Sequence, residues 1–583
     1  MPPLISPTEH PPLAPAPGSD EFSKLAIRLS LAAVLLLAAG LRLFRLDAVP
    51  PAINQDEAVH AYDAYCLLHT GKDHHGERWP IFFRAFGDYH PGPFVYLLIP
   101  AEALLGLSAF SARLPGALLG VLAVGLLYLL LRPIYGRRVA FFASSLLAVS
   151  PWHIHLNRLA FEAGICPTLI LLALVVACRA FATAQSSSAW RETSPASGRL
   201  AKRSNFVLLI LLGILVGLTF WTYHAMRVFV PAFLLAALII HRKTLVAFPA
   251  QSKSAARLSA IFLGLLVGLG PFLWAWAQDS DHVWTRARDV SLLATNERLA
   301  QTALQFLRNY AANISPLFLF IRGDASIVQS VPGYGQLHLL TAPLILIGLY
   351  RVIVRRQTDR FGLLLVAWLL VAPLPAALAH WQGGHALRSV AALPVYDILA
   401  ALGLDSLFNA AGRSRTPRRS VRVLAGSVVL ALGLNVAYFL FLFFVRYPVA
   451  AAERFQSEWR QVIADVAELR PRFDLVLLSP DRTNQLGILF LFWSRMDPRQ
   501  FLESSHQFEQ GPRFERLVLV DGVVFAPSAF LAQLATLPEP PSTILAAERP
   551  DVAVPGMPIK RYYFPDGREA VVLYELSAKD LPN

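Results

Sequence analysis

Apolar residues along this chain fall into long blocks separated by short polar stretches rich in arginine. The blocks lie at 25–46, 112–131, 139–152, 161–182, 205–223, 228–241, 258–277, 338–354, 361–379, 389–409 and 423–445. An α-helix needs about 20 apolar residues to cross a bilayer. The pattern therefore predicts an α-helical polytopic membrane protein with about 11 transmembrane helices.

Four segments depart from this pattern. Residues 1–23 are Pro-rich and polar, which predicts a disordered cytoplasmic tail. Pro93–Leu107 is apolar but short, and it contains Pro100 and Glu102, so it reads as a surface or re-entrant helix at the outer interface. It falls in a long first outer loop, 47–111. A second long outer loop spans 278–337 and holds the amphipathic stretch LAQTALQFLRNYAANISPLFLF. Residues 446–583 alternate strand-like runs (DLVLLS, RLVLVDGVVF, AVVLYEL) with a helix-like run, SEWRQVIADVAEL. That predicts a small α/β extracytoplasmic domain after a membrane domain at 24–445.

Composition supports the membrane reading. Of 583 residues, 55% are apolar and 16% charged, well below the roughly 25% charged residues of a soluble chain. The net charge of +13 would suggest a nucleic-acid partner in a soluble protein. Here the basic residues follow every even-numbered span, for example Arg137 and Arg138 after the second, Arg351 and Arg355 after the eighth, and Arg418 and Arg419 after the tenth. The positive-inside rule then puts the N-terminus in the cytoplasm and the odd-numbered exits, with residues 446–583, outside. The predicted location is the cell membrane, with membrane lipids and no nucleic acid as partners. Three cysteines, Cys66, Cys166 and Cys178, are too few for a disulfide framework. A Cys66–Cys166 bridge is the less favoured alternative to simple packing.

Candidate chemistry gathers on the outer side. The segment INQDEAVHAYDAY places Asp56 and Glu57 where the chain leaves the first span. One reading is a helix N-terminus, capped by Asn54 or Asp56, with a solvated acidic face. The other is a general base or metal ligand, since a carboxylate close to hydrocarbon is partly desolvated and more basic. GKDHHGERWPIFFRAFGDYHPGPF adds His90 among other His and Asp residues. No cofactor is required by this pattern, and a divalent metal ion is the one it admits, without diagnostic spacing. In SPWHIHLNRLAFEAG, His155, Arg158 and Glu162 fall at i, i+3 and i+7, one face of a helix. Arg158 reads either as a snorkelling residue with a local acid or as an anion-binding group. Tyr223, His224 and Arg227, then Asp324, then His385 and Arg388 complete the outer set. Each alone reads more readily as structural. Their convergence on one side carries the functional argument.

These features together resemble a family. A first span with its N-terminus inside precedes an outer loop that opens on an acidic pair. An aromatic segment with His-Pro follows, then a Gly/Arg-marked span (GLSAFSARLPGALLG) and an S-P…R…acid element. The pattern is similar to the polyprenyl-phosphate-sugar-dependent GT-C glycosyltransferases, and among them to the protein O-mannosyltransferases and the lipid A aminoarabinose transferase. It covers about 25–185, with weaker echoes at 321–350 and 380–405. The resemblance implies a GT-C-like membrane domain and a catalytic role for Asp56, the first acid of the pair. His90–Pro91 stands where the family often has His-Pro-Pro, with Gly92 replacing the second proline. Arg158 matches a family arginine, and Glu162 stands where the family has Asp. The α/β pattern of the C-terminal part is not a β-trefoil.

The implied activity is transfer of a sugar from a polyprenyl-phosphate-linked donor to an acceptor hydroxyl on a glycan, lipid or protein. The expectation is an inverting direct displacement with Asp56 as base and Arg158, Arg227 and Arg388 on the leaving phosphate. The rival reading is a transporter or lipid flippase, which requires polar groups near mid-bilayer and broken helices in two halves. Ionisable residues clustered on one side favour the enzyme. A third reading, a receptor-like binder anchored by its spans, does not need so many of them.

Overall fold

The computed structural model describes residues 19–189, 195–246, 254–294, 298–354, 360–413, 418–480, 485–511 and 515–581. Most of the predicted tail, 1–18, lies outside them. The chain opens with α1 (Ser19–Leu43), α2 (Gln55–Thr70), a hairpin of β1 (Phe82–Ala85) and β2 (Asp88–Pro91), and α3 (Pro93–Leu105). Then come α4 (Ala109–Tyr135), α5 (Arg137–Val149), α6 (Pro151–Leu156), α7 (Glu162–Ala189), α8 (Pro195–Thr222), α9 (Met226–Val246) and α10 (Ser254–Gln278). α11 (Ser280–Val290), α12 (Leu299–Ile314), α13 (Ala342–Val354) and α14 (Arg360–Val371) follow, and then the long helices Leu393–Arg413 and Arg418–Phe441.

Seven helices among the described residues are long and apolar enough to cross a membrane: Ala109–Tyr135, Glu162–Phe181, Asn205–Thr222, Ala255–Gln278, Arg360–Ala377, Val390–Asn409 and Gly426–Ala450. This is fewer than the eleven expected. The segments predicted at 25–46, 139–152, 228–241 and 338–354 are helical too, as α1, α5, α9 and α13, but fall outside the seven. For α5 and α13 the reason is length, since each has thirteen residues. α3 is also a thirteen-residue helix, short as expected for a segment that does not span.

Small residues set the closest helix contacts. Gly213 and Gly217 on α8 face Gly264 and Gly268 on α10, and a Cβ on any of the four would collide with the opposing backbone. Two GxxxG stripes thus let the helices touch without intervening side chains. Gly348 of α13 and Gly403 of Leu393–Arg413 do the same. At one end of the bundle, buried Asp405 binds Arg351 at 2.7 Å and Arg138 at 2.5 Å. The exits of the second, eighth and tenth predicted spans therefore meet at one end, as the distribution of basic residues required.

The C-terminal part forms a seven-stranded mixed sheet, ordered β4-β5-β6-β3-β7-β9-β8. Its strands are β3 (Leu475–Leu478), β4 (His506–Gln510), β5 (Glu515–Val520), β6 (Val523–Phe525), β7 (Thr543–Glu548), β8 (Met557–Tyr563) and β9 (Glu569–Ser577). The helix Trp459–Leu469 precedes it. β3 is central and parallel to β6 and β7. Its continuous LVLL run fits a strand covered on both faces. Val476 and Leu478 join a core shared with α2 and α3, while Leu477 packs against Leu531 and Leu534 beneath the other face. Tyr62 of α2 donates to the Met496 carbonyl at 3.1 Å. α2 is thus held between the membrane helices and the sheet. Cys66 and Cys166 are buried and unbridged.

Candidate active site

The N-terminus of α2 organises the site. Asn54 caps it, its Oδ1 accepting from the Asp56 and Glu57 amides at 2.9 and 3.1 Å. Glu57 Oε2 accepts in turn from the Asn54 amide at 3.2 Å, completing a capping box. The two adjacent acids then part company. Glu57 is fully buried and binds Arg113 in a two-pronged pair at 2.8 and 2.9 Å. It also accepts from the Ala160 amide at 2.9 Å. These partners hold both of its oxygens, so the expectation of Glu57 as a second catalytic acid gives way to a structural ion pair.

Asp56 is half-buried, and its carboxylate accepts no hydrogen bond among the described residues. Burial pushes its carboxyl above the ordinary aspartate range. His60, Arg286 and Arg454 nearby pull it back, and Glu57 adds to the rise. His60 lies one turn along α2. Its Nδ1 is 3.1 Å from the Ala160 carbonyl, which turns Nε2 toward Glu162 Oε2 at 3.9 Å. His90, on β2, meets the His60 ring edge-on with centroids 5.4 Å apart. Burial holds the His90 imidazole well below its usual range, and therefore neutral. One ligand atom each from His60, His90 and Glu162 lies within 4.8 Å of the others. Two imidazoles and a carboxylate form a donor set that suits a divalent transition metal.

His90 is delivered by a tight hairpin. Phe86 and Gly87 connect β1 and β2 with φ of 59° and 80°. Two consecutive positive φ values make a type I′ turn, for which glycine is the natural second residue. The hairpin is fixed from both sides. Asp88 pairs with Arg286 of α11 at 3.1 Å, and Arg84 pairs with Glu515 of β5 at 2.5 Å. Burial raises the Asp88 carboxyl, and Arg286 opposes that rise. Arg286 also interacts electrostatically with Asp56, His90, Tyr223, His385 and Arg388.

The remaining wall comes from loops far along the chain. Arg388 hydrogen-bonds Tyr223. Asp324 accepts from the Ala386 amide at 2.7 Å and lies 3.9 Å from His385 Nδ1, holding the segment that carries Arg388. Burial, with Arg388 and Arg286 close by, depresses His385 to about 3. His224 is also held neutral, mainly by burial, with Arg227 and His90 adding to the effect. Asp56, His90, Glu162, Tyr223, His224, Asp324, His385 and Arg388 thus fall in one connected region.

Three predicted residues do not join it in the expected way. α6 ends at Leu156 and α7 begins at Glu162, so His155, Arg158 and Glu162 are not on one helix face. His155 sits 2.8 Å from the Val328 carbonyl and meets the stacked rings of Phe443 and Tyr447 edge-on. Arg158 is fully buried and donates to the carbonyls of Leu41, Phe44, Arg45 and Val49. Its guanidinium clamps the turn below Asp56 and is not available to a phosphate. Arg227 is caged by Phe82, Phe272 and Trp284 and donates to the Val283 carbonyl.

Sequence reasoning passed over His60, Arg286 and Arg113. His60 carried a signal, at i+4 from Asp56 on the same helix. Arg113 stood within GLSAFSARLPGALLG at the start of a span, where a charge requires a partner. Arg286 had no signal, as one of several charges in a polar amphipathic helix.

Helices crossing a membrane, a clustered acid–imidazole–guanidinium site on one side and a mixed sheet beside it define a GT-C-type architecture. Residues 89–198, which include His90 and Glu162, match the family described as dolichyl-phosphate-mannose-protein mannosyltransferase. The crystal structure of ArnT from Cupriavidus metallidurans in the apo state is similar, with a TM-score of 0.52 and 14% identity over 96% of this chain and all of that one. The same protein bound to undecaprenyl phosphate matches with a TM-score of 0.50 and 14% identity over 97% and 100% of the two chains. The Archaeoglobus fulgidus oligosaccharyltransferase tethered with an acceptor peptide gives 0.50 and 15% identity over 95% of this chain and 74% of that one. No curated protein matches the chain. Family segment and fold together bear out the resemblance to the polyprenyl-phosphate-sugar-dependent GT-C glycosyltransferases.

Proposed function

We propose that the protein transfers a sugar from a polyprenyl-phosphate carrier to an acceptor hydroxyl on the extracytoplasmic face, with Asp56 as general base. The observation that carries this reading is the position of Asp56. It is a carboxylate of raised basicity, without a hydrogen-bond partner among the described residues, close to Arg286 of α11, which in turn interacts with Arg388. The bound undecaprenyl phosphate of the similar ArnT structure supports the choice of carrier.

In the displacement, the acceptor oxygen forms a bond to the anomeric carbon as the bond from that carbon to the carrier phosphate breaks. The hydroxyl proton passes to the Asp56 carboxylate. The leaving polyprenyl phosphate takes the bonding electron pair, and Arg388 and Arg286 stabilise the charge that develops. A single displacement inverts the anomeric centre. Glu57, Arg113 and Arg158 hold the α1–α2 turn so that Asp56 is already placed.

His60, His90 and Glu162 are the residues that would hold a divalent cation. Bound there, it supplies a fixed positive charge for the oxygens of the donor or acceptor. The experiment that tests the reading is Asp56→Asn in reconstituted membranes. Transfer is expected to fall roughly 10²–10⁴-fold, the span of general-base catalysis, with insertion and yield unchanged. Retained turnover removes Asp56 from the mechanism.

A further inference from the structure

We propose a second anion site, separate from the transfer pocket, that takes a phosphate group at the seam between the membrane helices and the C-terminal sheet. A cavity of about 310 Å³ opens there, bordered by Asp47, Ser108, Phe110, Arg460, Trp493 and Arg495. None of the residues assigned to sugar transfer borders it, so the inference stands apart from the transferase reading.

The lining is built for an anion. Arg460 and Arg495 are exposed side chains that border the cavity together with one carboxylate, Asp47, and neither arginine forms an ion pair among the described residues. The Arg460 guanidinium lies over the Trp493 ring, 5.3 Å from its centroid, which fixes its plane. Trp493 Nε1 has no hydrogen-bond partner among the described residues. A guanidinium oriented over a ring, with a second one lining the same cavity, suits the oxygens of a phosphate. The volume suits a headgroup-sized ligand.

Height in the membrane points to the source. Asp47 follows the end of α1, and Ser108 caps the start of the membrane-length helix α4, so the cavity lies at the end of the helical bundle. Phe110 of the lining, and Leu104 and Leu105 a few residues earlier at the end of α3, are exposed apolar side chains, at 36%, 84% and 51%. A phosphate in the cavity would sit at headgroup depth, with hydrocarbon alongside. The same oxygens are presented by an anionic phospholipid and by soluble phosphate.

The test uses the full chain purified in nanodiscs and released for native mass spectrometry. One arm supplies phosphatidylglycerol in phosphatidylcholine. The other supplies inorganic phosphate to protein in phosphatidylcholine alone. Retention of phosphatidylglycerol that falls roughly tenfold in Arg460→Gln/Arg495→Gln assigns a lipid-borne phosphate. Binding of inorganic phosphate lost in the same variant assigns a soluble one. The Arg460→Lys/Arg495→Lys variant, which keeps the charge, controls for folding and should retain part of the binding. Equal lipid retention by wild type and the Gln variant, with no phosphate binding in either, overturns the site. Because the readout is binding, inactivity in sugar transfer has no bearing on it.

Discussion

The carboxylate of Glu57 and the guanidinium of Arg113 meet side by side at 2.8 and 2.9 Å, where no solvent reaches either group. Arg113 also donates to the carbonyls of Leu46, Pro50 and Ala52. The pair therefore ties α4 to the turn that precedes Asp56. Breaking one side of a buried pair leaves an uncompensated charge, which costs about 3–5 kcal/mol. Glu57→Gln is expected to lower the thermal midpoint in detergent and reduce yield. Glu57→Gln/Arg113→Met, which removes both charges, should recover part of the loss. A single variant as stable as wild type counts against the tie.

Two arginines separate structure from catalysis. Arg158→Ala should lower stability through the loss of its carbonyl clamp, and the protein that still folds should keep its kcat. Arg388→Ala should fold normally and lose about 10²–10³ in kcat, the scale for removing one group that stabilises developing charge. Thermal unfolding and steady-state kinetics on both variants distinguish them. The reverse pattern would return Arg158 to the phosphate.

Protonation of Asp56 sets the acid side of the pH profile. Its folded pKa is raised, so the base is lost as pH falls through a value above the ordinary aspartate figure of about 3.9. Arg286 lowers that value, and Arg286→Gln should therefore move the acid limb of kcat/KM to higher pH. Coincident limbs in the two proteins would separate Asp56 from the titration.

The metal reading predicts a stoichiometric signal. Dialysed protein loaded with zinc or manganese should retain about one ion per chain by elemental analysis, as expected of a His₂-carboxylate set. His60→Ala/His90→Ala should retain none. Equal retention by the variant would leave the three side chains as a buried polar cluster without an ion.

The hairpin connects the sheet to the site. Gly87 has φ of 80° and lies against Gln510 and the Glu515 backbone. Gly87→Val should reduce turnover without blocking membrane insertion, because it strains the turn that presents His90 and Asp88. Activity assays alongside a membrane-insertion blot give the answer.

Much of the fold was written in local pattern. Apolar blocks marked the helices, seven of them of membrane length, and the continuous apolar run in DLVLLS marked the central strand. The sequence offered Asn54 or Asp56 as the cap, and the structure uses Asn54. The acid pair was visible as a pair, but its division of labour depended on Arg113, fifty-six residues away, and on the Ala160 amide. The Arg158 error had the same origin. A guanidinium near a span end fits an anion or a set of carbonyls equally well, and only the fold of the α1–α2 turn decides between them. Arg286 was invisible because its partner, Asp88, lies on a separate loop and neither residue stands out in its own neighbourhood.

The glycine contact between α8 and α10 has a consequence for lipid composition. With no side chains to slide over, the two helices form one stiff strut. Only Asp279 separates α10 from α11, which carries Arg286. Tilt imposed by a thinner or thicker bilayer would be passed along the strut toward Arg286, so the acid limb of the pH profile is expected to shift with bilayer thickness.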